Sequence, residues 1–298
     1  VSDVDSRAAF RTRVLLAYAT IYLVWGSNFM VARIGVRDLP PMLFAAGRTF
    51  VGAVVLLGLV YHQREQLPRG ARQWGYIVLL SLLLLTFSSG LSTIALKHLP
   101  SNETALLSST IALWMAGLGV LGPQGQPLSR LSLTGLLVGF AGAALLMWPH
   151  HALSSSHLPW QLLVLLATFS WASGTILFRN LQLPLSPIAF NASIMVFGAI
   201  GMLIMGLIGG EPAQWHWEWR GVVAMLFLGV FGSAIAYTAY TWLIRHQPTD
   251  RVATFAYVNP LIATVLGWLV LGEALTPLQI AATIVIVAGV MIVTVAPR

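Results

Sequence analysis

The sequence predicts an all-α polytopic membrane protein: ten transmembrane helices, arranged as two inverted five-helix repeats. Three observations carry this prediction. The 298 residues are 57% hydrophobic and only 8% charged, against roughly 25% charged in an ordinary soluble domain. The apolar residues fall in runs of about 20, the length that crosses a ~30 Å hydrocarbon core. The short polar stretch KHLPSNETA at 97–105 returns as RHQPTDRVA at 245–253.

The runs lie at about 14–33, 41–61, 74–96, 102–121, 130–148, 159–178, 187–209, 220–244, 250–271 and 277–296. Turn-forming residues punctuate them: LPP at 39–41, Pro100, GPQGQP at 122–127, Pro159, Pro187, Pro248 and Pro277. The connections are too short to hold a soluble domain. The polar segment 1–13 does not read as a cleavable signal, because the first apolar run exceeds an h-region of about 7–15 residues and no small-residue cleavage site follows. With no cysteine in the chain, disulfide and thiolate chemistry are excluded.

A net charge of +7 raises the question of nucleic acid. The basic residues, however, are spread along the connections, and they sort by side. Eleven of the sixteen fall on one side of the ten spans: Arg7, Arg11 and Arg13; Arg64, Arg69 and Arg72; Arg130; Arg179; Arg245 and Arg251; and Arg298. Four fall on the other side, Arg33, Arg37, Lys97 and Arg220, and Arg48 lies within a span. By the positive-inside rule both termini are expected to be cytoplasmic. The partners expected are a lipid bilayer and a small-molecule substrate, with no nucleic acid and no cofactor.

The recurring connector belongs to a longer repeat. Trp25 is followed by Arg33, Pro41 and Phe44; Trp171 is followed at the same distances by Arg179, Pro187 and Phe190. AGAALLMWP at 141–149 resembles AGVMIVTVAP at 288–297. The organisation expected is an N-terminal segment (1–13), a first unit (14–149), an outer linker (150–158) and a second unit (159–298). Five spans is an odd number, so the second unit enters the membrane upside down, and Lys97 and Arg245 face opposite solvents. Inverted repeats of this kind mark alternating-access transporters, with their sites near the midplane.

The stretch VWGSNFMVARIGVRDLPPMLFAAGR (24–48), the five-plus-five arrangement and the AG-containing last helix of each half resemble the drug/metabolite transporter superfamily. Within it the EamA-type ten-helix exporters, YddG-like amino-acid exporters among them, fit best. The resemblance covers essentially the whole chain. It implies a basket of two inverted five-helix halves around a central cavity, exporting small metabolites from the bacterial cytoplasm across the inner membrane. A monomer or weak homodimer is expected.

Polar side chains at helical spacing inside apolar spans are the candidates for a cavity lining. Ser89, Ser92 and Thr93 share a face of the third span, and their repeat mates are Tyr237, Tyr240 and Thr241 in the eighth. Helix–helix hydrogen bonding is the competing reading. Trp25, Trp114 and Trp171 sit near the centres of their spans, and each buried indole needs a hydrogen-bond partner, either a substrate oxygen or a backbone carbonyl. Asn28 lies on nearly the same face as Trp25. Tyr257 and Asn259 flank Pro260, which frees the carbonyl of Ala256 for a cavity or a hinge. Arg48 is assigned to structural pairing or gating ahead of substrate binding.

Several apparent motifs carry nothing. GLGVLG at 117–122 follows no strand, His150 and His151 have no further ligands at metal spacing, and neither H-E-x-x-H nor a nucleotide-binding P-loop occurs. No carboxylate lies at a span centre. Glu103, which begins the fourth span, is the residual candidate for proton coupling, and facilitated movement is expected. Hydrophobic or aromatic amino acids lead as substrates, because an ammonium sits well over Trp or Tyr faces. The alternatives are an organic-cation exporter, which would need a cavity acid, and an intramembrane enzyme.

Overall fold

A computed structural model describes residues 3–99, 104, 107–125, 127–147, 158–271 and 276–296. Glu103, most of the 97–105 connector and the 150–157 linker lie outside the described residues. The main helices, in chain order, are α1 (Asp3–Asp38), α2 (Pro41–Gln63), α3 (Gly70–His98), the short α4 (Ile111–Leu118) and α5 (Arg130–Met147). The second half supplies α6 (Leu158–Leu181), α7 (Pro187–Ile208), α8 (Trp219–His246), α9 (Phe255–Leu271) and α10 (Pro277–Val295). Among the described residues six helices are long and apolar enough to cross a membrane, and shorter apolar helices cover 130–145 and 280–295. Exposed apolar stripes run down the outside, such as Leu158, Leu162, Leu166 and Phe169 on α6 and Ile280, Ile284, Val287 and Met291 on α10. Contiguous apolar surface of that extent belongs against lipid.

The packing carries the internal symmetry. α2 lies against α7 and α5 against α10; α1 packs on α8 and α9, while α6 packs on α3 and α4. Exchanging each helix for the one five places along maps these pairings onto themselves. The chain is thus an all-α polytopic membrane protein made of two like halves.

The helix starts show where that symmetry breaks. α7 is capped locally: Ser186 Oγ accepts from Ala189 N at 3.0 Å, and Pro187 occupies the first helical position, where its missing N–H costs nothing. The matching residue before α2 is Pro40, which cannot cap. The carboxylate of Glu211, from the 3₁₀ turn Glu211–Gln214, takes over, accepting from Met42 N at 3.1 Å and Leu43 N at 2.8 Å. A carboxylate suits the positive end of a helix.

Hydropathy gives no sign of the two departures from regular helix in the middle of the bundle. α3 widens into a π-helical stretch over Leu82–Gly90, and α8 does so over Leu228–Ile235. Widening removes carbonyls from the regular ladder, and side chains from the packed helices take them up. Trp25 Nε1 donates to Gly232 O at 3.1 Å, and Ser170 Oγ donates to Leu83 O at 2.8 Å. A turn at 109–110 precedes α4, where an unbroken span over 102–121 is expected, and a turn at Thr254 separates the short helix Thr249–Ala253 from α9. Interrupted helices at equivalent places in two repeats are the usual framework of a midplane site.

Candidate functional site

A cavity of about 160 Å³ opens between the halves. α1 contributes Trp25, Asn28 and Ala32; α2 contributes Arg48; the second half of α3 contributes Ser88, Ser89, Ser92 and Thr93. Trp171, Tyr237 and Phe255 form its base, and Asn259 closes it from α9. The start of α9, just after the turn at Thr254, thus places Phe255, Ala256 and Asn259 on the cavity wall.

The base is an aromatic cluster. The Trp25 ring lies 5.6 Å from Trp171, 5.4 Å from Tyr237, 5.2 Å from Tyr240 and 5.1 Å from Phe255, mostly edge to face. Offset and edge-on contacts of this kind are favoured over flat stacking. Trp171 Nε1 donates to the Tyr240 hydroxyl at 2.9 Å, and that hydroxyl pairs with Thr175 Oγ1 at 2.7 Å. Both indoles are satisfied within the protein, and the packed rings form an aromatic plug at the base of the cavity.

The upper wall is polar and incompletely satisfied. The Arg48 guanidinium donates to Ser89 Oγ, its Nε is buried without a partner, and no carboxylate among the described residues pairs with it. The Oδ1 atoms of Asn28 and Asn259 are likewise buried and unpartnered. The residues that carry these atoms all border the one cavity, although buried atoms without a protein partner also occur elsewhere in the bundle, as at Asn191 and Tyr257.

Nine of the residues singled out from the sequence meet here: Trp25, Asn28, Arg48, Ser89, Ser92, Thr93, Trp171, Tyr237 and Asn259. Trp114, Tyr240, Thr241 and Tyr257 do not. Trp114 is 38% exposed and stands edge-on to Phe169 at 5.3 Å, away from the cavity. Tyr240 lies within the plug. Tyr257 packs its ring on Gly139 of α5, with its hydroxyl buried and unpartnered. Pro260 lies inside α9, and the carbonyl it frees at Ala256 accepts from Ser109 Oγ at 3.1 Å. That carbonyl thus ties the start of α4 to α9 as well as bordering the cavity.

One supporting residue escapes sequence reasoning. Asn191, fully buried in α7, donates to Thr241 Oγ1 at 2.7 Å and to the Pro187 carbonyl at 2.8 Å, with a longer contact to Tyr237 O at 3.3 Å. It steadies the α8 turn that presents Tyr237. An amide inside the apolar run PIAFNASIM was the available signal.

Two like halves of membrane helices around a cavity with one polar wall and an aromatic base are the arrangement of a membrane transporter. The chain belongs to the EamA-like transporter family, whose model matches it twice, at residues 12–148 and 158–295. It is 31% identical over 280 residues to the uncharacterised inner membrane transporter YedA of Escherichia coli, covering 93% of this chain and 89% of that one. It is 24% identical over 284 residues to the uncharacterised transporter YoaV of Bacillus subtilis, covering 95% and 97%. It is also 26% identical over 290 residues to a probable amino-acid metabolite efflux pump of Salmonella typhimurium, covering 91% of each. A solved crystal structure with 19% identity has the same fold, with a TM-score of 0.80 over 94% of this chain and 97% of that one.

Proposed function

We propose that the protein exports small zwitterionic metabolites, above all amino acids with apolar or aromatic side chains, by alternating access. The observation that carries this reading is Arg48, a guanidinium opening on the cavity with Ser89 as its hydrogen-bond partner and no carboxylate beside it. A charge within a span costs at least about 2.5–3.5 kcal/mol, and a solute carboxylate would offset that through paired N–H···O bonds. The amide side chains of Asn28 and Asn259 line the same cavity, and an amide oxygen is an acceptor for an ammonium. Trp25, Trp171 and Phe255 offer ring surface to an apolar side chain. The Salmonella relative's description as a probable amino-acid metabolite efflux pump supports the same substrate class.

With both termini cytoplasmic, the cavity faces the outside and the aromatic plug closes it from the cytoplasm. The units 14–149 and 159–298 would exchange conformations to reverse that arrangement. No acidic side chain lines the cavity among the described residues, which favours facilitated movement without proton coupling. The same feature weighs against the organic-cation alternative, since a guanidinium repels a cationic solute.

Efflux from liposomes loaded with a panel of labelled amino acids and organic cations tests the reading. Aromatic and aliphatic amino acids should leave fastest, Arg48→Gln should weaken their affinity at least about tenfold, a loss of ~1.4 kcal/mol, and an imposed pH gradient should drive no accumulation. Preferred efflux of cations, or uphill movement abolished by a protonophore, would overturn it.

A further inference from the structure

The opposite mouth of the bundle holds a second polar pocket. Ala95 and Leu99 at the end of α3 pack on Val164, so the start of α6 lies at the cavity end and its last turn at the other. Arg179 stands eight residues beyond Trp171, about 12 Å further along the helix. It lines a pocket of about 400 Å³ together with Arg245, His246, Gln124 and Gln182, and no acidic side chain lines it among the described residues.

The pocket is built rather than incidental. Asn180 accepts from Gln124 N at 3.0 Å and donates to Leu121 O at 3.2 Å, fastening the α4–α5 connection to the end of α6. Arg245 donates to the carbonyls of Leu185, at 2.5 Å, and Leu183, at 3.3 Å, and lies 5.0 Å over the Phe178 ring. Gln182 is held at φ 43°, a backbone region that residues other than glycine seldom occupy and that recurs at functional sites. Arg179 itself makes one long hydrogen bond, to Thr249 Oγ1 at 3.3 Å. The acid within electrostatic range, Asp250, accepts from Arg251 N at 2.9 Å and forms no ion pair with Arg179 among the described residues.

We infer that this pocket is a second carboxylate site, which holds the acid group of the transported solute on the closed side of the aromatic plug. The planar fork of Arg179 matches a carboxylate, and Arg245 adds a fixed positive charge beside it. The repeat supports the assignment: Arg33 and Lys97 occupy the equivalent sequence positions of the first half, so each mouth receives a pair of cations. The inference rests on the reading of the substrate as a carboxylate-bearing solute.

Equilibrium binding of labelled 3-phenylpropanoate, a carboxylate without an ammonium, to the full chain in phosphatidylcholine nanodiscs tests it. The wild type should bind at two sites. Arg179→Gln should weaken one at least tenfold and leave the other within twofold, which also verifies the fold. If Arg179→Gln does not assemble, Gln182→Glu, which sets an acid on the exposed rim, should abolish the same site. Retention of both sites in either variant overturns the inference. So does loss of the Arg179-dependent site when a third of the lipid is phosphatidylglycerol, because the pocket would then hold lipid headgroups. Arg48→Gln separates the two claims: if it leaves both sites intact while Arg179→Gln removes one, the cavity reading fails and this one stands.

Discussion

Removing the Ser109 hydroxyl should cost stability only while Pro260 is present. Proline has no N–H, so the Ala256 carbonyl has no donor four residues along α9, and Ser109 Oγ supplies one at 3.1 Å. Ser109 is fully buried and Ala256 nearly so. A buried acceptor left unmet costs about 1–3 kcal/mol; Ala256 borders the cavity and water reaches part of it, which puts the expected loss in Ser109→Ala near 1–2 kcal/mol. In Pro260→Ala the new amide can close the ordinary helical bond to Ala256, and Ser109→Ala should then cost about 0.5 kcal/mol or less. The coupling in the double-mutant cycle is therefore about 1 kcal/mol or more, and any other contact of Ser109 cancels between the two arms. Equilibrium unfolding of the four proteins in mixed detergent micelles, followed by tryptophan fluorescence, measures it. Losses for Ser109→Ala that agree within about 0.3–0.5 kcal/mol in the two backgrounds would refute the account of Pro260 as the cause of this tie.

Three further outcomes are expected. Glu211→Ala, which strips the carboxylate from the start of α2, should lower stability by about 1–2 kcal/mol, whereas Glu65→Ala, at the equivalent sequence position of the first half, should change it by less than about 0.5 kcal/mol; equal losses would contradict the asymmetry. Single cysteines placed at Lys97 and Arg245 in this cysteine-free chain should react with an impermeant maleimide from opposite sides of the membrane, and reaction from one side alone would remove the inverted topology. Trp171→Phe, which keeps a ring in the plug but removes the donor to Tyr240, should speed leakage of solute through the protein while leaving substrate affinity within about threefold, a difference of ~0.6 kcal/mol; a larger affinity loss would mean that the solute needs the indole itself and not merely a ring at that place.

The six long spans were legible because lipid imposes one rule on every residue of a crossing, and long apolar runs between turn residues satisfy it; the interruption at 109–110 within the run 102–121 was not. Ser89 and Tyr237 stood out because two copies of one pattern place polar side chains on the same face, and both border the cavity. Hydropathy could not tell that Trp114 faces outward, since an indole suits lipid and protein alike. Nor could it separate Tyr240 and Tyr257 from the cavity wall, because a buried tyrosine hydroxyl can be met inside the packing, as Trp171 and Thr175 meet that of Tyr240. The π-helical stretches left no trace in the apolar period. They depend on donors far away in the chain, Trp25 for Gly232 and Ser170 for Leu83, which no local pattern of LLLLTFSSG or LGVFGSAI announces.

The cap of α2 by Glu211 also sets a clock. The amides of Met42 and Leu43 are 169 and 168 residues from the carboxylate that accepts them. At a synthesis rate of about 5–20 residues per second, that acceptor leaves the ribosome roughly 8–34 s after α2 does. α7 emerges with Ser186 just ahead of it and needs no such wait. The first half must therefore linger in the bilayer with an open helix start, hydrated at the interface, until the second half arrives. Expressed alone, a fragment ending before Glu211 would keep that start open permanently, while a fragment holding α6 to α10 carries its own cap. The halves are alike in plan and unequal in the order in which each becomes complete.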